Sequence, residues 1–543
     1  MHWIDIAIFI LYMIAMLGVG FYFYKKNQST DDYYVGGRQM SAGHIGLSVV
    51  ATDVGGGFSI GLGGLGFIMG LSGSWMLFTG LIGAWLAAVF LIPKVKGNPA
   101  FDKFQTFPEI FGHYYGPYVA LAAGLISAIG YAGFTSSQIL AGAKLASGVF
   151  IDLDLEMALL IMGTIAVVYT VMGGLKAVIY TDTVQWIILM TGLIGVGIPF
   201  GYHYIGGWSA IEASIRPGFL SLTNVSWQQL VNWAITIIPI WFVGMTLYQR
   251  IYAAKDLKTA KRAWYLAGLF EYPIMAFMGV ILGLFARVAA DQGAFTALGA
   301  DSIVEADPEQ GLPMLLRVAL PVGYGLMGII LSSYFSAILS TADSCLMASS
   351  GNVVSDIILF FRKKPLTEKQ NLRLSQGVTF IIGALALFLA SVMTNVLDLM
   401  LKSYAFMVAG LLIPIVGALY WRRSSSTGAL AAMLVGGLLT ITLQANQVSI
   451  SNQLSKEEAV ITVEKLGENF PLLRHLEAEE MTRRQLIDAV NEAKLVGFDT
   501  LGWHFALPFR LNPLLFGILA ALVVFIVLSY TFPDRKQTYQ STQ

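Results

Sequence analysis

The chain has 543 residues, of which 56% are hydrophobic and 12% charged. Soluble globular proteins carry about a quarter charged residues, so this composition excludes that class and points to a polytopic membrane protein. Basic and acidic residues number 33 each, leaving no net charge to attract nucleic acid, and the single Cys345 excludes an internal disulfide or a multi-cysteine metal site.

Only Met1, His2 and Trp3 precede the first apolar run, with no basic segment and no cleavage site, which reads as an uncleaved first helix. Runs of spanning length fall at residues 4–24, 42–70, 74–93, 118–150, 157–172, 177–205, 227–250, 263–287, 321–360, 371–392, 398–421, 427–444 and 511–530. That is about thirteen crossings. The run 321–360 exceeds one crossing, so short flanking helices are expected at its ends. Lys25, Lys26, Arg38, Lys94, Lys96, Lys103, Lys176 and the group from Arg250 to Arg262 fall on one side if the spans alternate. Arg362 to Arg373, Arg422, Arg423, Arg535 and Lys536 fall there too. The positive-inside rule makes that side cytoplasmic, with the N-terminus outside, the C-terminus inside, and the chain multi-pass in the plasma (inner) membrane.

One polar stretch, 447–510, stands apart on the outer side. Ser455 with Glu458, and Thr482 with Gln485, have capping-box spacing. Leu486, Ala489, Val490 and Ala493 form an apolar stripe ahead of Gly497, which reads as a C-cap. Helical hairpin-like material over the outer face is expected.

Within the second run lies Val50-Ala51-Thr52-Asp53-Val54-Gly55-Gly56-Gly57-Phe58. Three glycines weaken a helix, and a carboxylate at membrane depth is costly. A span that accepts both is expected to be broken, with freed carbonyls lining an ion or solute site. The competing reading is a packing face with Asp53 salt-bridged to a neighbour. Pro239 and Gly244 mark a second interrupted helix five spans later, the interval an inverted five-plus-five repeat requires.

A second polar cluster runs from Ser336 to Ser344. Ala337, Ser340, Thr341 and Ser344 share one helical face, with Asp343 close by. Such oxygens suit a small hard cation, and they suit interhelical hydrogen bonding equally. Asp182, near the cytoplasmic start of its span, reads as a helix cap or part of an inner ion exit path. Phe58, Phe134, Thr135, Gln138, Trp241, Tyr248 and Tyr404 are candidate solute contacts. There is no phosphate-binding loop, zinc motif, nucleophile elbow or repeated channel filter, so an ATP-driven pump, a membrane enzyme and a channel all lack support.

Several stretches together resemble the sodium/solute symporter family. They are Asp31-Asp32-Tyr33-Tyr34-Val35-Gly36-Gly37, Val171-Met172-Gly173-Gly174-Leu175 before Tyr180-Thr181-Asp182, Gln249-Arg250, Ser340-Thr341-Ala342-Asp343-Ser344 and Ser426-Thr427-Gly428-Ala429. The resemblance implies an all-α fold with a ten-helix inverted-repeat core at 42–421. Around it lie a first helix and linker at 1–41, an added helix at 422–446, the insert 447–510 and a last helix with a short tail at 511–543. It implies Na⁺ bound by the carbonyls of Ala51, Val54 and Ala337 and the hydroxyls of Ser340 and Thr341. Asp182, Ser340, Asp343 and Ser344 match a second sodium position found in some members, or line the exit path. The Gly-rich stretch is similar to that of the choline-carrying branch, which implies a tryptophan at the place of Asp53. An acid at that position resembles the proline-carrying branch, where it supports sodium binding. The expected activity is sodium-coupled import of a small polar organic solute, an amino acid such as proline or a betaine- or choline-like molecule. A solute sensor on a transporter-like core is the alternative. Sodium, the solute and the lipid bilayer are the expected partners.

Overall fold

A computed structural model describes residues 2–26, 29–53, 55–150, 153–299, 304, 307–393, 395–450 and 454–534. Among these, ten helices are long and apolar enough to cross a membrane, and an eleventh crossing is the bent pair Trp227–Val243 and Met245–Ala253. Two of the ten hold two crossings each. The stretch Ile60–Val95 turns back around Gly70, so that Leu65 lies against Gly73. Leu155–Tyr204 turns back at Gly174, whose φ of 63° only glycine adopts freely, and Tyr169 there meets Thr181 at 2.9 Å. The total is the thirteen crossings expected.

The helices used below are α1 (Trp3–Lys26), α2 (Ala42–Asp53), α3 (Gly56–Met69), α4 (Trp75–Leu86), α5 (Pro117–Val149) and α6 (Leu155–Gly192). Then come α7 (Trp227–Val243), α8 (Met245–Ala253), α9 (Leu257–Leu269), α10 (Ala276–Asp291), α11 (Leu326–Asn352), α12 (Glu368–Ser391), α13 (Val396–Tyr420) and α14 (Ser426–Ala445). The stretch after α14 holds α15 (Lys456–Asn469) and α16 (Arg483–Ala493), a hairpin of β1 (Leu495–Phe498) and β2 (Trp503–Ala506), and then α17 (Pro513–Thr531).

Burial sorts these helices into a centre and a rim. Helix α11 is buried almost throughout, from Met327 to Asn352, although it carries eight serine and threonine hydroxyls and Asp343. Helices α1, α12 and α17 instead present Leu11, Ile14, Phe380, Phe388, Val523 and Val527 outward, where lipid is the solvent. The most polar span therefore sits in the middle, packed against α5 and α6 and touched by α2.

Both expected interruptions are present. Helix α2 stops at Asp53, and α3 starts at Gly56 after an extended Gly55. Helices α7 and α8 bend by 41° across an extended Gly244. The long run at 321–360 is one helix with a wide turn at Val353–Ile358, not a span with separate flanking helices. That turn directs buried Asp356 to the Thr106 hydroxyl at 2.8 Å. An interruption that the sequence reading missed, Phe270–Met275 around Pro273, separates α9 from α10 and carries Glu271. Between α14 and α17 both capping boxes form. The end of α16 is not at Gly497, which belongs to β1; Lys494 ends it, in left-handed conformation at φ 48°.

Candidate functional site

The break between α2 and α3 lies directly against α11. A Cβ on Gly55 would overlap the Thr341 hydroxyl, and one on Gly56 would overlap Ile338. Only glycine lets the chain pass α11 this closely. Ending α2 there leaves the Ala51 carbonyl without a helical partner in the next turn. The Ser340 hydroxyl stands 2.9 Å from both the Ala51 and the Ala337 carbonyl oxygens. Thr341 Oγ1 stands 3.1 Å from the first and 3.3 Å from the second. Two carbonyls and two hydroxyls from two helices thus converge, all buried and none charged. Hard oxygens without net charge are what a monovalent hard cation accepts. Val54, expected in the same set, lies outside the described residues, as does the side chain of Phe58.

A second cluster lies one turn further along α11. The Arg250 guanidinium, fully buried, donates to Thr52 at 2.7 Å, Ser344 at 2.6 Å, Ser48 at 3.1 Å and the Thr246 carbonyl at 3.3 Å. It pairs with Asp182 at 3.4 Å, and the Ser48 hydroxyl donates to the same carboxylate. Arg250, expected from the charge pattern among the cytoplasmic cations, is instead a buried ion-pair partner. Ser344 of the α11 stripe thus faces Arg250 of α8, and an unpaired Asp182 there would be costly. Asp343 does not share this pair. It accepts from Thr170 at 2.6 Å, and its second oxygen has no partner among the described residues.

Asp53 ends α2 on the side of the break facing α13. Tyr404 donates to it at 3.5 Å, and Phe134 packs edge-on against Tyr404 with centroids 4.9 Å apart. No basic side chain pairs with Asp53 among the described residues, which overturns the salt-bridge reading. Its neighbour is another acid: Glu271, fully buried, holds its carboxyl within hydrogen-bonding reach of Asp53. With both ionised, neither Glu271 oxygen has a donor.

The remaining candidates separate. Gln138 points its amide toward Gly55 at the break, and Thr135 bonds back to the Tyr131 carbonyl of its own helix. Trp241 fills the space over Gly83 and beside Trp264, as packing between α7, α4 and α9. Tyr248 donates to the Phe242 carbonyl at 2.8 Å and packs at a tilt against Phe107, which splints the α7–α8 bend. Neither joins the Phe134–Tyr404 pair. Tyr131, not singled out from sequence, belongs nearer: its hydroxyl meets Thr246 at 3.1 Å beside Gly244.

Known proteins match this arrangement. The pattern of the sodium:solute symporter family covers residues 33–436. The osmoregulated proline transporter OpuE of Bacillus subtilis is 28% identical over 78% of this chain and 86% of its own length. The sodium/proline symporter of Escherichia coli is 25% identical over 80% and 86%. The sodium/glucose cotransporter 1 of Oryctolagus cuniculus is 24% identical over 80% and 71%. In fold, the chain is similar to a Na⁺-coupled sialic acid symporter solved in a substrate-bound outward-open state. The TM-score is 0.69 at 19% identity, covering 98% of this chain and 99% of that one. With its two broken helices, inverted-repeat core and matched stretch, the chain belongs to the sodium:solute symporter family.

Proposed function

We propose that the chain imports a small zwitterionic solute, proline or a close relative, with one sodium ion bound by Ala51, Ala337, Ser340 and Thr341. The observation that carries this reading is the meeting of two carbonyls and two hydroxyls at the break. The proline carriers among its relatives support an amino acid as cargo, and Asp53 beside Phe134 and Tyr404 supports a solute with a cationic end. A carboxylate facing the ammonium and an aromatic edge beside it give such a solute both charge and shape complementarity.

Sodium and solute load from outside, the break closes over them, and the inner path opens past Arg250 and Asp182. This needs the N-terminus outside and the C-terminus in the cytoplasm, the topology that the basic residues favour. Each inward sodium gains about 2.3 kcal/mol per 100 mV of membrane potential, before its concentration gradient is added. Arg250 supplies the positive charge beside Asp182 and Ser344 that a second sodium would otherwise bring. Asp182, Asp343 and Ser344 are on this reading the lining of the ion exit path.

The test is uptake of labelled L-proline and glycine betaine into proteoliposomes under an inward sodium gradient. Accumulation that collapses when a sodium ionophore is added is expected. Binding with neither uptake nor counterflow would identify a sensor instead.

A further inference from the structure

On the outer face, the segment after α14 roofs a cleft between α7 and α13. It is tied down by Gly497 to the Asn446 carbonyl at 3.0 Å and by Val448 to the Leu495 carbonyl at 3.0 Å. The family match ends at residue 436, so this roof lies outside the matched residues. Beneath it lies a cavity of about 370 Å³, large enough for an amino acid. Its lining is polar, with Gln229 and Asn232 from α7, Asp398 and Lys402 from α13, and Asn491 and Lys494 from the roof.

One of the three charges named in its lining is left over once the other two pair. Asp398 is held by Lys402 at 2.7 Å on the next turn of the same helix. Lys494 makes no ion pair among the described residues, although burial pulls its ammonium below the usual lysine value and Asp398 only partly offsets this. Its backbone is in the left-handed region, which lysine adopts at a cost and where glycine or asparagine is at ease. A cation kept in a half-buried place at the expense of backbone strain suggests an anionic guest. A second cavity of about 290 Å³ shares Lys494, Asn491 and Gln229 with the first and reaches Met69, the outer end of the broken helix. Lys494 therefore stands where a solute would pass from the roofed cleft toward α3.

We propose that this cleft is a second, outer solute site, selective for small zwitterions that carry a carboxylate, with Lys494 gripping that carboxylate and Asp398 facing the cationic end. It rests on the transport reading for its purpose, as a capture site ahead of the sodium-linked one, but the first arm of its test does not need transport.

The experiment is acetylation of the purified protein with an amine-reactive ester in sodium-free buffer, read lysine by lysine by mass spectrometry. The probes are L-proline and glycine betaine, with L-prolinamide and choline as partners lacking the carboxylate. Both carboxylates should slow modification of Lys494 saturably, by several-fold, without changing exposed Lys465 of the same segment. The two partners should leave Lys494 as reactive as buffer does. Equal reactivity in all solutions, or equal protection by all four, overturns the proposal. A second arm uses Lys494→Gly, which keeps the left-handed helix end while removing the ammonium. Its half-saturating solute concentration for uptake should rise about tenfold, the effect of losing one charge-assisted bond; an unchanged value contradicts the site. Protection without any uptake would keep the outer site and remove the transport reading, whereas uptake without protection would do the reverse.

Discussion

Gly55 and Thr341 touch so closely that no side chain fits between them. The hydroxyl that faces the Ala51 carbonyl at 3.1 Å is thus positioned by a missing Cβ on the opposite helix. Gly55→Ala should push Thr341 out of place and raise the sodium concentration for half-maximal uptake at least about tenfold, as expected for a lost ligand worth ~1–3 kcal/mol. Gly43→Ala, in the same span but with nothing within 4 Å of the added carbon, is the control and should leave that value alone.

Asp53 and Glu271 make a pair of buried carboxyls with no cation between them among the described residues. An amide at position 271 supplies the donor that neither acid has when ionised. Glu271→Gln should therefore raise thermal stability in detergent by about 1 kcal/mol. Asp53→Asn should keep expression but raise the concentrations of both sodium and solute for half-maximal uptake, because the carboxylate that faces the solute's cationic end lies two residues from the Ala51 carbonyl. A large drop in stability for Glu271→Gln would mean that the two acids are held together by something other than their shared contact.

Arg250 and Asp182 form the opposite case, a buried pair of unlike charge. Arg250→Met should cost about 3–5 kcal/mol, since it strands Asp182 away from water. Adding Asp182→Asn should recover much of that loss. Thermal unfolding of the two single variants and the double gives the coupling directly. Simple additivity would show that the pair is not an energetic unit.

The same pair bears on ion count. If Arg250 is the resident cation beside Asp182, solute-coupled flux carries one sodium per solute and no proton. The reversal potential of that flux in proteoliposomes, at two pH values, should fit that ratio and stay put with pH. A ratio of two would place a second ion among Asp182, Asp343 and Ser344 despite the guanidinium.

The two breaks and the oxygen-bearing face of α11 were legible because each leaves a local mark in sequence. Gly55-Gly56-Gly57 and the Pro239–Gly244 interval weaken a helix by themselves, and Ala337, Ser340, Thr341 and Ser344 repeat at helical spacing. Glu271 was not legible, since its partner lies more than two hundred residues away and only packing brings them together. Arg250 was misplaced because it adjoins Lys255 and Lys258, and charge counting cannot tell the last buried turn of a span from the first wet one. The end of α16 was misread for a similar reason: Gly497 has the residue type of a C-cap, while Lys494 has the conformation.

The central claim is that Ser340 and Thr341 hold the coupling ion, and the direct measurement is the sodium dependence of solute uptake by the Ser340→Ala/Thr341→Ala double variant. Both hydroxyls lie on the Ala51 carbonyl, so their joint loss should raise half-maximal sodium by well over tenfold with the protein still folded. A double variant whose sodium curve overlays that of the unaltered protein would contradict the account.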